Sequence, residues 1–181
     1  DVLGLDSNVA AISAGGIHAC ALTTLGGIKC WGRNEFGQLG SGTGGTKRTP
    51  VDVVGLGGGV TVINAGEAHT CALTTADGAK CWGNDNVGQL GTGTVENTFI
   101  PVDVVGLGST TVAIEPGGQH TCALSTAGGV KCWGYNMQGT LGDGTTVNRS
   151  TPVDVLGLGS GVVAITAGMD HNCAVTTAGG V

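Results

Sequence analysis

The stretch His18–Gly32 reads His-Ala-Cys-Ala-Leu-Thr-Thr-Leu-Gly-Gly-Ile-Lys-Cys-Trp-Gly. It returns as His69–Gly83 and His120–Gly134, and its first part returns again as His171–Val181. The period is constant: His18, His69, His120 and His171 are 51 residues apart, and Trp31, Trp82 and Trp133 keep the same spacing. So do Pro50, Pro101 and Pro152. A fixed period of this length is the signature of a repeat architecture, in which each unit buries its apolar face against the next. The 181 residues divide into repeats 1–51, 52–102 and 103–153 and a shortened fourth, 154–181. The chain opens in mid-repeat and stops where Lys-Cys-Trp-Gly is due, so it reads as part of a longer protein.

Outward from the motif, each repeat reads as four short strands. In the first these are Val9–Ser13, His18–Thr23, Ile28–Gly32 and Val51–Val54, with a glycine-rich stretch from Asn34 to Thr49 before the last. Proline opening the fourth strand places it at a sheet edge, where a missing backbone donor costs least. Four strands in about 50 residues, repeated, define a blade of an all-β propeller. If residues whose numbers sum to 50 face each other, Cys20 meets Cys30 and Trp31 covers Ala19. Thr70 and Thr121 take the place of Ala19 in later repeats.

Glycine supplies 37 residues, and recurs at fixed repeat positions, so it marks tight turns rather than a flexible linker. Net charge is −6, with Lys and Arg scattered singly, which gives no basic footprint for nucleic acid. No apolar run is long enough for a membrane-spanning helix.

Three cysteine pairs have nine residues between them: Cys20 with Cys30, Cys71 with Cys81, and Cys122 with Cys132. Cys173 lacks a mate because the sequence stops before position 183. A metal site built on His18, Cys20 and Cys30 has three ligands where structural zinc takes four, so a cross-strand disulfide is favoured. Disulfides imply an oxidising, extracellular or cell-surface compartment.

The pattern Ala-Gly-x-x-His-x-Cys-Ala-Leu, then Gly-x-Lys-Cys-Trp-Gly-x-Asn-x-x-Gly-Gln-Leu-Gly, resembles the repeat of the regulator of chromosome condensation family. It spans Ala14–Leu22 with Ile28–Gly40, and Ala65–Leu73 with Ala79–Gly91, where Asp85 replaces Asn. The third copy runs over Pro116–Leu124 and Val130–Gly142. The resemblance implies a ring of seven blades, which takes about 360 residues, so roughly half a ring is present. It fixes no single function, because members range from nucleotide exchange on a small nuclear GTPase to ultraviolet reception and β-lactamase inhibition. The Gly-Trp-Arg-His-Thr pattern of the ultraviolet receptor is absent.

One histidine per repeat at one framework position argues for structure rather than catalysis, with each imidazole hydrogen-bonded near the turn before its strand. Asn34, Asp85 and Asn136 follow Trp-Gly and set a turn through the side chain. Asp143-Gly144-Thr145 lacks the second acid a calcium loop needs. Asn148-Arg149-Ser150 is a glycosylation sequon. No catalytic set and no cofactor are expected.

Function is therefore expected where the repeats differ. The candidate binding-loop residues are Arg33, Glu35, Phe36, Asn84, Asn86, Phe99, Tyr135, Met137 and Arg149. The first reading is a non-enzymatic extracellular module that binds a protein or glycan, or other copies of itself, through blade loops. The alternatives are a building unit of a surface layer or fibre, and a targeting propeller attached to an enzyme domain outside this chain.

Overall fold

A computed structural model describes residues 2–76 and 78–181. It is all-β. Blade 1 contains β1 (Val9–Ala14), β2 (His18–Thr23), β3 (Ile28–Gly32) and β4 (Lys47–Asp52). Blade 2 contains β5 (Val60–Ala65), β6 (His69–Thr74), β7 (Gly78–Gly83) and β8 (Thr98–Asp103), and blade 3 contains β9 (Thr111–Pro116), β10 (His120–Ser125), β11 (Val130–Gly134) and β12 (Arg149–Asp154). A fourth sheet begins with β13 (Val162–Ala167) and β14 (Asn172–Thr176). Each four-stranded sheet is an antiparallel meander in sequence order, with β1, β5 and β9 on one edge and β4, β8 and β12 on the other. The first strands of successive blades pack on one another, so they line the axis of a partial propeller.

The inferred hairpin register holds: Cys20 pairs with Cys30, Ala21 with Lys29 and Ala19 with Trp31, and the same offsets recur in blades 2 and 3. The fourth strand differs from expectation. It starts at Lys47 rather than Val51, and Pro50 lies inside it. The register jumps there: Val51 faces Cys30 and Lys47 faces Gly32, so residues 48–50 bulge opposite Trp31. A bulge on an edge strand accommodates proline because its missing N–H leaves no ladder bond unmade.

The core lies between blades rather than within them. One cluster joins Cys20, Leu22, Ile28, Cys30 and Leu39 of blade 1 to Ile63, Ala72 and Trp82 of blade 2, and a second joins blade 2 to Ile114, Ala123 and Trp133 of blade 3. Ile12 shows what the preceding blade supplies elsewhere: it is 77% exposed, whereas its equivalents Ile63 and Ile114 are 5% and 0% exposed. Gly40 illustrates how tightly the blades meet. It has φ +65°, and a Cβ there would stand 2.7 Å from Trp82 Nε1.

Candidate interaction face and the buried framework beneath it

The three cysteine pairs form disulfides, Cys20–Cys30, Cys71–Cys81 and Cys122–Cys132, each with Cα atoms 4.1 Å apart. That spacing is the narrow, non-hydrogen-bonded pair of an antiparallel ladder. Cys173 is a free, exposed thiol. All six bridged cysteines lie in the interblade clusters, so the bridge is part of the packing surface.

His18, His69 and His120 do not bond the turn before their own strand, contrary to the expectation from sequence; each reaches the next blade. His18 Nε2 meets Thr70 Oγ1 at 2.7 Å, His69 Nε2 meets Thr121 Oγ1 at 2.9 Å, and His120 Nε2 meets Asn172 Oδ1 at 2.8 Å. Thr70 Oγ1 donates its one proton to the Gln38 carbonyl at 2.7 Å, and the Trp82 indole N–H donates to the same carbonyl at 3.0 Å. Thr121 and Trp133 treat the Gln89 carbonyl in the same way. With its proton spent, each threonine oxygen must accept from the imidazole, which fixes the proton on Nε2. Asn172 reproduces the arrangement with an amide, accepting from His120 and donating Nδ2 to the Thr140 carbonyl at 2.9 Å. The remaining ring nitrogens, His18 Nδ1 and His69 Nδ1, are buried without a partner. A neutral ring tolerates this and an imidazolium does not. Burial holds His18 down at about 4; burial, reinforced by His18 and His120, holds His69 at about 3. Burial also lowers His120, against its bond to Asn172.

One sequence signal for these contacts was visible: position 19 is Ala in blade 1, and its equivalents are Thr70, Thr121 and Asn172. That position is polar wherever a preceding histidine exists to meet it.

At one end of the blades the turns that follow β1, β5, β9 and β13 sit inside the long loops that follow β3, β7 and β11. The two layers are tied by backbone bonds from Arg33 N to Ile17 O (3.0 Å), Asn84 N to Ala68 O (3.0 Å) and Tyr135 N to Gln119 O (2.8 Å). The inner turns are linked around the axis by Gly16 N to Gly66 O, Glu67 N to Gly117 O and Gly118 N to Met169 O, each 3.1 Å. Repeat-variable positions from both layers therefore share one loop face.

The long loops are each set by one Asx side chain, as expected. Asn34 Oδ1, Asp85 Oδ1 and Asn136 Oδ1 accept from Leu39 N, Leu90 N and Leu141 N at 3.0, 2.8 and 2.9 Å. In blades 1 and 3 the amide nitrogen then donates to loop carbonyls, of Thr43 from Asn34 and of Thr145 and Val147 from Asn136.

On this face Arg33 and Glu35 are exposed and ion-paired at 3.1 Å, and Asn86 is exposed. Asn84, Tyr135 and Phe36 are half-buried. Met137 is 67% exposed, and Met169, on the inner turn over Gly118, is 62% exposed. The sole tyrosine and both methionines of the chain thus fall in the blade 3–4 sector. Two candidates are occupied within the framework. Phe99 packs over Gly37 and Gly44 of the neighbouring loop. Arg149 Nε binds Asp143 Oδ2 at 2.9 Å, and Thr145 and Asn136 donate to the same carboxylate. Against the desolvation that raises it, those donors hold Asp143 down at about 2.

Comparison with known proteins agrees with this architecture. The regulator of chromosome condensation (RCC1) repeat model matches residues 26–73, 81–124 and 127–175, and a second model of that repeat matches 9–38, 60–89 and 111–139. The human probable E3 ubiquitin-protein ligase HERC4 is 33% identical over 179 residues, covering 97% of this chain and 17% of that protein. The Arabidopsis thaliana ultraviolet-B receptor UVR8 is 35% identical over 168 residues, covering 91% of this chain and 38% of that protein. The chain therefore spans well under half of either relative. The crystal structure of yeast RCC1 (Prp20) bound to Kap60 superposes with a TM-score of 0.81 at 20% identity, covering 92% of this chain and 42% of that one. With family models matched across three repeats and the blade geometry in place, the chain belongs to the regulator of chromosome condensation (RCC1) repeat family.

Proposed function

We propose that this propeller is a non-enzymatic interaction module of an oxidising, extracellular compartment, and that it binds a protein partner with its loop face. The observation that carries the reading is a division of labour. The reactive residue types that repeat are spent on the framework, His and Trp on bonds between blades and Cys on disulfides within them, whereas the residues that differ between repeats gather on one end. Tyrosine and methionine are enriched in protein interfaces, and Met137 and Met169 offer adaptable apolar contact beside Tyr135. Two of the structures similar to this chain are titled for Prp20 with Kap60 and for its binding to Gsp1p and histones, so a related fold supports protein binding in those cases. Three disulfides support the compartment.

The test is a set of surface variants of the full protein at its native site, read by cross-linking mass spectrometry. Tyr135→Ala with Met137→Ala should abolish partner cross-links, and Leu25→Ser at the opposite end should leave them unchanged. Cross-links that map to the opposite end, or to a glycan chain, refute the face or the partner class. Thiol titration after non-reducing purification should find one reactive thiol in this chain; seven refutes the compartment.

A further inference from the structure

We propose that Asp85 is a proton-operated latch on the long loop of blade 2, closed when its carboxyl is neutral and loosened when it ionises. The argument starts from the three copies of one position. Asn34 and Asn136 use the side-chain oxygen to accept from a backbone N–H and the nitrogen to donate to loop carbonyls. Asp85 keeps the first bond, to Leu90 N at 2.8 Å, and is 0% exposed. Its Oδ2 stands where the other blades place the amide nitrogen, and it is buried with no hydrogen-bond partner. An ionised oxygen cannot donate; a protonated one can, and it restores the bond that Asn34 makes to Thr43, whose blade 2 counterpart is Thr94.

A second group beside this loop is unpaired in the same way. Thr98 Oγ1 is also buried without a partner, at the position where blade 3 has Arg149. Blade 3 fills its loop with the Asn136, Asp143 and Arg149 network; blade 2 has Thr92 and Thr98 in place of the last two. Among the described residues, no charged side chain is paired with Asp85. Glu96 in its own loop is exposed. The His69 ring of β6 is held neutral by burial, and Arg149 of the adjoining β12 is committed to Asp143. Burial dominates, and lifts the Asp85 carboxyl to about 6 despite its hydrogen bond from Leu90 N.

The sign follows from linkage. A folded value above the unfolded one means that the native state holds the proton more tightly, so this group favours folding below about pH 4 and loses that advantage as pH rises through about 6. Because the loop lies on the face assigned above to partner binding, the latch would alter that face with pH. That consequence rests on the function proposed for the face, whereas the latch itself does not.

The experiment compares the chain with Asp85→Asn at about pH 8 and about pH 4.5, by thermal unfolding and by amide hydrogen exchange. The variant should raise Tm by about 5–10 °C at the higher pH and by less than about 3 °C at the lower. Exchange at Leu90 and across residues 91–97, corrected for its intrinsic pH dependence, should slow in the wild type as pH falls through about 6. In the variant it should be slow throughout. An equal Tm offset at both pH values overturns the latch, as does unchanged exchange. Sodium or calcium that slows exchange at about pH 8 in the wild type alone also overturns it, by making the carboxylate a cation ligand. None of these outcomes depends on Tyr135 or Met137, so the latch and the binding face fail separately.

Discussion

Acid should dismantle this propeller mainly through its buried histidines. Each interblade imidazole donates from Nε2, and in His18 and His69 the other nitrogen is buried with no acceptor. Protonation adds a charge and a second N–H that has nowhere to bond. The folded values, about 4 for His18 and about 3 for His69, lie below the unfolded value of 6.5. The unfolded chain therefore binds more protons in this window, and stability rises with pH. It is complete above about pH 7 and falls as pH drops through 6.5 toward 3. At about 1.4 kcal/mol per unit, His18 accounts for about 3 kcal/mol and His69 for about 5 kcal/mol over the whole window. Ordinary domains have only about 5–15 kcal/mol, so the loss reaches the scale of the whole fold only below about pH 4. The assay is urea unfolding followed by tryptophan fluorescence at half-unit steps from about pH 7.5 to 4.5. An Asp85→Asn background removes the opposing slope of that carboxyl. His69→Gln, which can still donate to Thr121 without titrating, should roughly halve the slope. Parallel profiles for the two proteins between about pH 6.5 and 5 would falsify the assignment, whatever their offset.

Replacing Cys71 and Cys81 together with Ala should cost roughly 3 kcal/mol, the loop-closure value for a separation of 10 residues, measured as a lower urea midpoint. Gly40→Ala should cost about 2–4 kcal/mol, because the new Cβ meets Trp82 Nε1 and Val53 at a positive φ; Gly57→Ala, which faces open space, should stay within about 0.5 kcal/mol. Thr121→Val keeps the shape and removes the acceptor of His69, for a loss of about 2 kcal/mol in the same assay, with Trp133 still bonded to Gln89.

What the sequence disclosed is what repeats at short range. The hairpin register was readable because Cys20 and Cys30, and Ala19 and Trp31, are separated by a tight turn that leaves one alignment on both faces. The fourth strand was misplaced for a local reason: Lys47-Arg48-Thr49-Pro50 has no alternation to read, because three of those residues bulge opposite Trp31. The histidine bonds were missed for a long-range reason. Their partners lie 52 residues away on the next blade, and within-repeat spacing carries no information about that contact. The clue lay in comparing Ala19 with Thr70, Thr121 and Asn172. Phe99 and Arg149 were nominated because they differ between repeats, yet the structure gives each a neighbour to satisfy. Difference between repeats therefore marks two things, free surface and local contacts, and at Phe99, which is 37% exposed, it marks both.

Asp85 is where that distinction matters most. Its departure from Asn is a single-atom change, from an amide nitrogen to an oxygen, at a position with no exposure to water. A neutral change in a tolerant loop would not leave a buried acceptor without a donor, which costs about 1–3 kcal/mol and more for a charge. The same loop also has Thr92 where blade 3 has Asp143, so the two loops carry their carboxylate at different positions. In blade 3 that group is held anionic at about 2, and in blade 2 it is lifted to about 6. The two loops thus have similar backbones and opposite behaviour toward protons. Blade 3 is fixed across the neutral range, and blade 2 tightens as the solution becomes mildly acidic.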